Sequence, residues 1–262
     1  VRLAEGASIP VLFRDAHYLV IDKPPGIATT SPHGGDCLTA RVAALDPRAE
    51  RCHPSSRLDA EVSGVVVFAR TSRGIDTLLE ARRRGHYARR YLALAPLPAM
   101  GSELAVGDEA TWRWPIAIDP RDRRKRLALE PGERGARTQD AETHARILDR
   151  APLAVSLLLR PVTGRTHQLR VHAARAGSPL LGDVAYGGAR RLVAADGAVL
   201  CCPRVALHCA VVVVPSPDGT TLAFCAPLPP DLASLAQALG LSPFDLDAIE
   251  REARPRRPRG NV

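Results

Sequence analysis

Ser56-Arg57-Leu58-Asp59-Ala60-Glu61-Val62-Ser63-Gly64-Val65-Val66-Val67-Phe68-Ala69-Arg70 sets a charged turn directly against an apolar, β-branched run. The run from Val65 to Phe68 is too short for a helix and has the composition of a buried strand. Working outward, Val11-Leu12-Phe13 and Tyr18-Leu19-Val20-Ile21 are short strand-like runs around a turn at Arg14 to His17, and Lys23-Pro24-Pro25-Gly26 forbids regular structure after them. Leu38 to Leu45 has the pattern of a short amphipathic helix. On the other side, Thr71 is placed to cap a helix from Ser72 to about Arg84 that Gly85 ends, and Tyr91 to Ala95 reads as a strand.

From Trp112 to Ile147 the pattern is strand, basic loop, strand, with Asp119-Pro120 and Pro131-Gly132 as breakers. Ala154 to Leu159 is a further strand, Val162-Thr163-Gly164 turns the chain, and Thr166 is expected to cap a helix ending near Gly177. Leu207 to Val214 and Leu222 to Cys225 form an expected hairpin across Pro217-Asp218-Gly219. Residues 230–253 look helical throughout, and the basic, Pro-rich tail 254–262 is too polar to pack. Many strands with a few inserted helices indicate an α+β fold, a long mixed or antiparallel sheet with peripheral helices. Residues 1–228 are expected to form one domain, followed by the helical segment 229–253 and the tail.

The chain has 262 residues, 45% hydrophobic and 24% charged, the balance of a globular protein able to bury a substantial core. No apolar run reaches the ~20 residues that span a bilayer, and the N-terminus lacks an export pattern. The expected location is cytoplasmic, with no membrane partner. Lys and Arg number 36 against 28 Asp and Glu, a formal charge of +8 with a pI near 9.7. That excess suits a polyanion, since each neutralised phosphate releases condensed counterions, although a basic surface kept for solubility has the same composition. The arginines are clustered: Arg82 to Arg84 with Arg89 and Arg90; Arg121, Arg123, Arg124 and Arg126; and Arg254, Arg256, Arg257 and Arg259.

Six cysteines occur without a C-x-x-C pair. Cys201, Cys202, His208 and Cys209 have poor spacing for zinc, so reduced thiols and no metal are expected. No Gly-rich phosphate loop opens a helix after a strand, so no nucleotide cofactor is expected either.

Three places concentrate chemistry. Asp59, with Arg57 two positions before it, is either half of an ordinary ion pair or a carboxylate aimed at an electrophilic carbon or an acidic proton. Gly164-Arg165-Thr166-His167-Gln168-Leu169-Arg170 gathers polar groups at a helix entry, where free N–H groups favour an anion. A solvated basic helix face would read the same way. Tyr91 follows Arg89-Arg90 and, in a chain with only 4% aromatics, is a candidate stacking platform for a base.

These segments together resemble the RluA-type pseudouridine synthases. SRLDAEVSGVVVFAR (56–70) is similar to the family's "HRLD-x-x-TSG" motif, IDKPPGI (21–27) to its N-terminal strand and turn, and RRYLAL (89–94) to its Tyr-bearing strand. Residues 115–126 resemble its basic hairpin, TGRTHQLRVHAARAGSPLLGDVAYGG (163–188) its longest motif, and ALHCAVVVVPSP (206–217) its closing strand. The resemblance implies the pseudouridine synthase catalytic-domain fold and cofactor-free isomerisation of uridine in ribosomal or transfer RNA by a monomer. It implies Asp59 as the catalytic aspartate, Arg170 as its partner, and Tyr91 as the tyrosine that stacks on the base and helps remove its proton. Arg57, Arg165, Thr166, His167, Arg123, Arg124 and Arg126 are the expected RNA-binding residues. Ser56 and Val62 stand where the family usually has His and Thr. The small N-terminal RNA-binding domain of many members is expected to be absent, leaving RNA contact to the catalytic domain and the tail. Two rival functions are a catalytically silent RNA-binding protein on this scaffold and an Asp-nucleophile glycosidase, which would need a second carboxylate with Glu61 the nearby candidate.

Overall fold

The computed structural model describes residues 8–31, 34–97, 105–194 and 196–255. β1 (Val11–Arg14) and β2 (Tyr18–Lys23) form an antiparallel pair, and Asp15 shapes their turn by accepting the backbone N–H groups of His17 and Tyr18 at 2.7 and 2.6 Å. Then follow α1 (Leu38–Leu45), the two-residue β3 (His53–Pro54) and β4 (Ser63–Ala69). Thr71 accepts from Gly74 N at 3.1 Å and so caps α2 (Ser72–Arg83) as the sequence predicts, a contact worth about 1 kcal/mol. β5 (Ala88–Pro96) leads to β6 (Glu109–Trp112), to a hairpin of β7 (Ile116–Ile118) and β8 (Arg126–Ala128), and to β9 (Thr143–Arg150) and β10 (Ala154–Pro161). α3 (Gln168–Arg175) precedes the small ribbon β11 (Arg191–Val193) and β12 (Val199–Cys201), which sequence reading did not find. The expected hairpin is present as β13 (Leu207–Pro215) and β14 (Thr221–Cys225).

Residues 230–253 are not one helix. They form α4 (Pro230–Ala238) and α5 (Leu246–Ala253), separated where Gly240 takes φ +79° and Pro243 follows. Of the expected tail, residues 256–262 lie outside the described residues, and with them Arg256, Arg257 and Arg259.

The large sheet runs β1-β2-β4-β13-β5-β10-β9-β6. Every neighbouring pair is antiparallel except β4 and β13, so the sheet is mixed and the fold α+β. The parallel pairing is brief, His208 opposite Ser63 and Cys209 opposite Gly64. Beyond it the two strands diverge: β13 pairs with β14 from Val211 on, and β4 pairs with β3 at Phe68 and Ala69. The sheet is thus forked. All seven residues of β4 are buried, which accounts for its lack of polar alternation. Along β5, Tyr91, Ala93 and Ala95 join the core that also holds β2, β4 and α3, while Leu92 packs on the opposite face with α5 and Leu94 with α4.

Gly64 sits at the root of the fork with φ +113°, and a Cβ there would stand 2.2 Å from the Cys209 carbonyl oxygen. No side chain fits between strands this close. Gly64→Ala is expected to destabilise the protein by at least ~3 kcal/mol in urea unfolding; a loss below ~1 kcal/mol would show that the strands can part without cost.

Candidate active site

The turn that carries Asp59 lies just before β4 and is held on three sides. Thr29 brackets Leu58, its hydroxyl donating to the carbonyl at 2.8 Å and accepting the N–H at 2.9 Å. Ala60 O accepts from Gly26 N at 2.7 Å and from Lys23 Nζ at 3.2 Å. Lys23 is fully buried among three carbonyls, those of Pro24, Ile27 and Ala60, and burial lowers its pKa to about 7, with Asp59 acting in the opposite direction. On the far side Arg204, itself bound to Asp231 of α4, reaches Glu61 O at 3.2 Å. Asp59 therefore projects from a backbone with little freedom to move.

Arg170, on α3, meets this carboxylate: its Nη1 donates to Asp59 Oδ2 at 3.0 Å. The rest of its guanidinium is held by Asp183, with Nε to Oδ2 at 2.8 Å and Nη2 to Oδ1 at 2.7 Å. Asp183 is completely buried at its side chain, Arg170 nearly so, and Asp59 keeps 28% exposure. Burial opposes the charge on Arg170, but the two carboxylates prevail and raise its pKa. Arg170, not Arg57, is thus the partner of Asp59.

The entry of α3 differs from expectation. Thr166 does not cap it; the residue before the helix is His167, in the left-handed region at φ 57° and without a side-chain cap. Gln168 takes over the polar work of the turn. Its Oε1 accepts from Arg165 N at 3.0 Å and from Thr163 Oγ1 at 2.7 Å, while its Nε2 donates to Glu142 O and Thr143 Oγ1. A non-glycine residue in this region is strained, and the effect here is to bring the His167 ring to Asp59, Nε2 to Oδ2 at 3.7 Å. The Tyr186 hydroxyl accepts from Arg126 N at 2.9 Å and lies 2.7 Å from His167 Nδ1. The phenol and the imidazole thus share one hydrogen bond, and the other ring nitrogen, Nε2, is the one on the Asp59 side. Burial lowers the His167 pKa, consistent with a neutral ring. Tyr186 also lies under Arg170, whose Cζ is 5.1 Å from the ring centroid.

Tyr91 comes from the middle of the sheet, opposite Cys209 on β13 and Leu159 on β10. It is 5% exposed. Burial and then the Cys209 thiol hold its phenol well above the ordinary value, with the Arg89 guanidinium acting in opposition. Arg89 is anchored by Nη2 to Thr163 O at 3.0 Å.

Asp59, Tyr91, Arg170, Arg57, Arg165, Thr166, His167 and Arg126 all line one cavity of about 1060 Å³. Arg123 and Arg124 do not. They stand exposed on the β7–β8 loop, where the Arg124 guanidinium is engaged by Asp122 through two contacts of 3.0 Å. Among the described residues the lining contains six arginines and one carboxylate, that of Asp59; Glu61 is not part of it. Among the described residues a glycosidase mechanism on this cavity finds no second carboxylic acid. Asp183, Tyr186, Arg82 and Arg89 were not assigned roles from sequence. Asp183 ends the run Leu180-Leu181-Gly182-Asp183, where an acid closing an apolar stretch was the available signal, and Tyr186 follows three residues later. Among the described residues no group of three or more His, Cys, Asp or Glu side chains is placed to hold a metal ion; His208 is occupied by Ser63 and the Ala226 carbonyl.

Residues 17–175 match the family described as RNA pseudouridylate synthase. The ribosomal large subunit pseudouridine synthase D of Xanthomonas campestris is 36% identical over 243 residues, covering 87% of this chain and 69% of that protein. Its namesake from Nitrosomonas europaea is 34% identical over 245 residues, covering 90% and 67%. Among solved structures, human RNA pseudouridylate synthase domain containing 4 superposes with a TM-score of 0.68 at 23% identity, over 88% of this chain and 93% of that one. This likeness extends to the fold.

Removing one partner of a buried ion pair strands the other charge. Asp183→Asn is expected to cost about 3–5 kcal/mol in chemical denaturation while leaving the Asp59 turn, which has its own anchors, in place. A variant as stable as wild type would show that Arg170 is held by Asp59 alone.

Proposed function

The chain belongs to the RNA pseudouridylate synthase family and is an RNA pseudouridine synthase; from this we propose that it isomerises uridine in large-subunit ribosomal RNA, with Asp59 as the catalytic carboxylate. The observation that carries the proposal is the cavity itself: among the described residues that line it, one carboxylate, held by a buried arginine, with five further arginines and the tyrosine Tyr91. The choice of RNA follows the names of the bacterial relatives, which cover most of the chain; transfer RNA is the alternative substrate. The proposed setting is the cytoplasm, and no described helix is long and apolar enough to cross a membrane.

A paired uridine hides its glycosidic bond, so the nucleotide must leave the stack, at a cost of a few kcal/mol. The arginines around the opening offset that cost by gripping phosphates. Inside, Asp59 either attacks the anomeric carbon of the ribose or takes the proton from the neighbouring 2′ carbon to give a glycal. Both routes detach uracil with its electron pair, and the base turns and rejoins the sugar through carbon 5. Arg170 holds one Asp59 oxygen at 3.0 Å, which aims the other at the sugar. Tyr91 supplies the surface on which the free base turns, and its hydroxyl takes part in removing the carbon 5 proton, which is acidified by the adjacent carbonyl. Substrate and product are isomers, so the balance needs no oxidant or phosphate donor.

Asp59→Asn preserves the size of the side chain and removes the charge that either route uses. Pseudouridine formation, followed by tritium release from labelled RNA, should fall below detection while RNA affinity and thermal stability persist. A folded Asp59→Asn protein that still makes pseudouridine ends this assignment. Tyr91→Phe keeps the ring, so RNA binding should stay within a few fold of wild type with little product formed. Near-normal turnover would reduce Tyr91 to a packing residue.

A further inference from the structure

β5 enters the sheet at Ala88, and its next two residues, Arg89 and Arg90, must point to opposite faces. Arg89 shares its face with Tyr91 and lines the catalytic cavity. Arg90 shares the other face with Leu92, the side covered by α5. There a second cavity of about 540 Å³ opens. It has Arg82, Arg89, Pro161, Thr163 and Gly164 in common with the first, so the two are continuous over the rim of the sheet.

Among the described residues the second cavity is lined by five arginines and one carboxylate, Glu252. That carboxylate is already engaged, by Arg146 Nη2 at 2.6 Å and Arg160 Nη1 at 2.9 Å. Arg254 is paired with Glu250. Arg82, Arg89 and Arg90 form no ion pair with a carboxylate among the described residues; their guanidiniums meet the Tyr87 ring, the Thr163 carbonyl and the Arg89 carbonyl. The Nε atoms of Arg89, Arg90 and Arg160 are buried without any hydrogen-bond partner. Buried donors are normally satisfied, and like charges gathered this closely repel. Both deficits vanish when an anion with several acceptor oxygens enters, and Arg pairs with phosphate through two parallel hydrogen bonds. Tyr87 stiffens the arrangement, with Arg82 at 4.7 Å and Arg89 at 5.6 Å from its ring centroid.

We propose that this groove carries the phosphodiester backbone of the RNA strand next to the target uridine across the sheet rim, from the Arg82–Arg89 pair on the catalytic side to Arg90 and Arg254 beneath α5. It rests on the reading of the catalytic cavity given above, and extends it to where the rest of the strand runs. The continuity of the two cavities favours a chain of phosphates over a single free one.

The experiment measures affinity of the 262-residue chain for a fluorescein-labelled oligouridylate across a series of KCl concentrations. The proteins compared are wild type, Arg90→Gln, Arg90→Gln/Arg254→Gln and, as a control of equal charge change on the exposed β11, Arg191→Gln. The slope of log affinity against log salt should become shallower by about 0.7 for each phosphate contact removed from a single strand. Arg191→Gln should keep the wild-type slope. Arg90→Gln should melt no lower than wild type, since the side chain it removes has no carboxylate partner. An unchanged slope in both Arg90 variants overturns the proposal, as does displacement of RNA from wild type and variants alike by the same concentration of inorganic phosphate, which would mark a free-anion site. Pseudouridine mapping on the same wild-type preparation separates the two readings. Product formed with unchanged slopes sinks the groove alone; shallower slopes without any product sink the catalytic reading and leave a phosphate track.

Discussion

The Arg170 guanidinium holds two carboxylates, and the candidate site is organised around that imbalance. Arg170 gives Asp183 two of its donors in a fully buried pairing and gives Asp59 one, at the edge of a cavity. The buried pairing cannot easily rearrange, because freeing either charge inside the protein is costly. Nη1 is therefore presented to Asp59 at a set angle, and among the described residues the other Asp59 oxygen has no hydrogen-bond partner. A second carboxylate behind the arginine turns a flexible side chain into a mount.

The sheet makes this mount possible. Asp59 precedes β4, Tyr91 stands on β5, and β13 lies between those strands, pairing briefly with the first and at length with the second. Beyond Gly64 the strands fork, and α2 packs against both β4 and β13. The hydrogen bonds that pin the Asp59 turn come from four separate parts of the chain: Thr29, Gly26 with Lys23, Arg204, and α3 through Arg170. Such redundancy leaves the turn little freedom even if one of its anchors is lost.

Much of this was legible in the sequence, for physical reasons. The β4 run could only be a buried strand, Thr71 and Gly85 bounded α2, and the Pro217-Asp218-Gly219 turn announced the last hairpin. The residues that converge on the cavity were found because each carries a group rarely placed without purpose beside a breaker or a strand end. Two readings failed where local propensity met tertiary constraint. Thr166 is a good capping residue, but Gln168 satisfied the same turn by reaching to Glu142 and Thr143, residues distant in sequence. The segment from 230 to 253 has helical composition throughout, yet Gly240 and Pro243 divide it so that its halves can pack on different parts of the sheet. Asp183 was missed because the burial that gives it meaning depends on an arginine that only the fold brings near. The groove arginines escaped a role for a similar reason: alternation along β5 sends neighbours to opposite faces, and a charge cluster in sequence does not say which face each member serves.

The position of β13 has a consequence for how the protein comes into being. During synthesis β4 and β5 emerge early, but the strand that belongs between them begins only at Leu207. Until then both carry unpaired edges, one of them in a strand that is wholly buried in the fold, and edges of that kind recruit other chains. Asp59 likewise waits for an arginine more than a hundred residues further on. The site thus has no native half-built form: the late strand and the late arginine complete the scaffold and the chemistry together, and a chain released before them has neither.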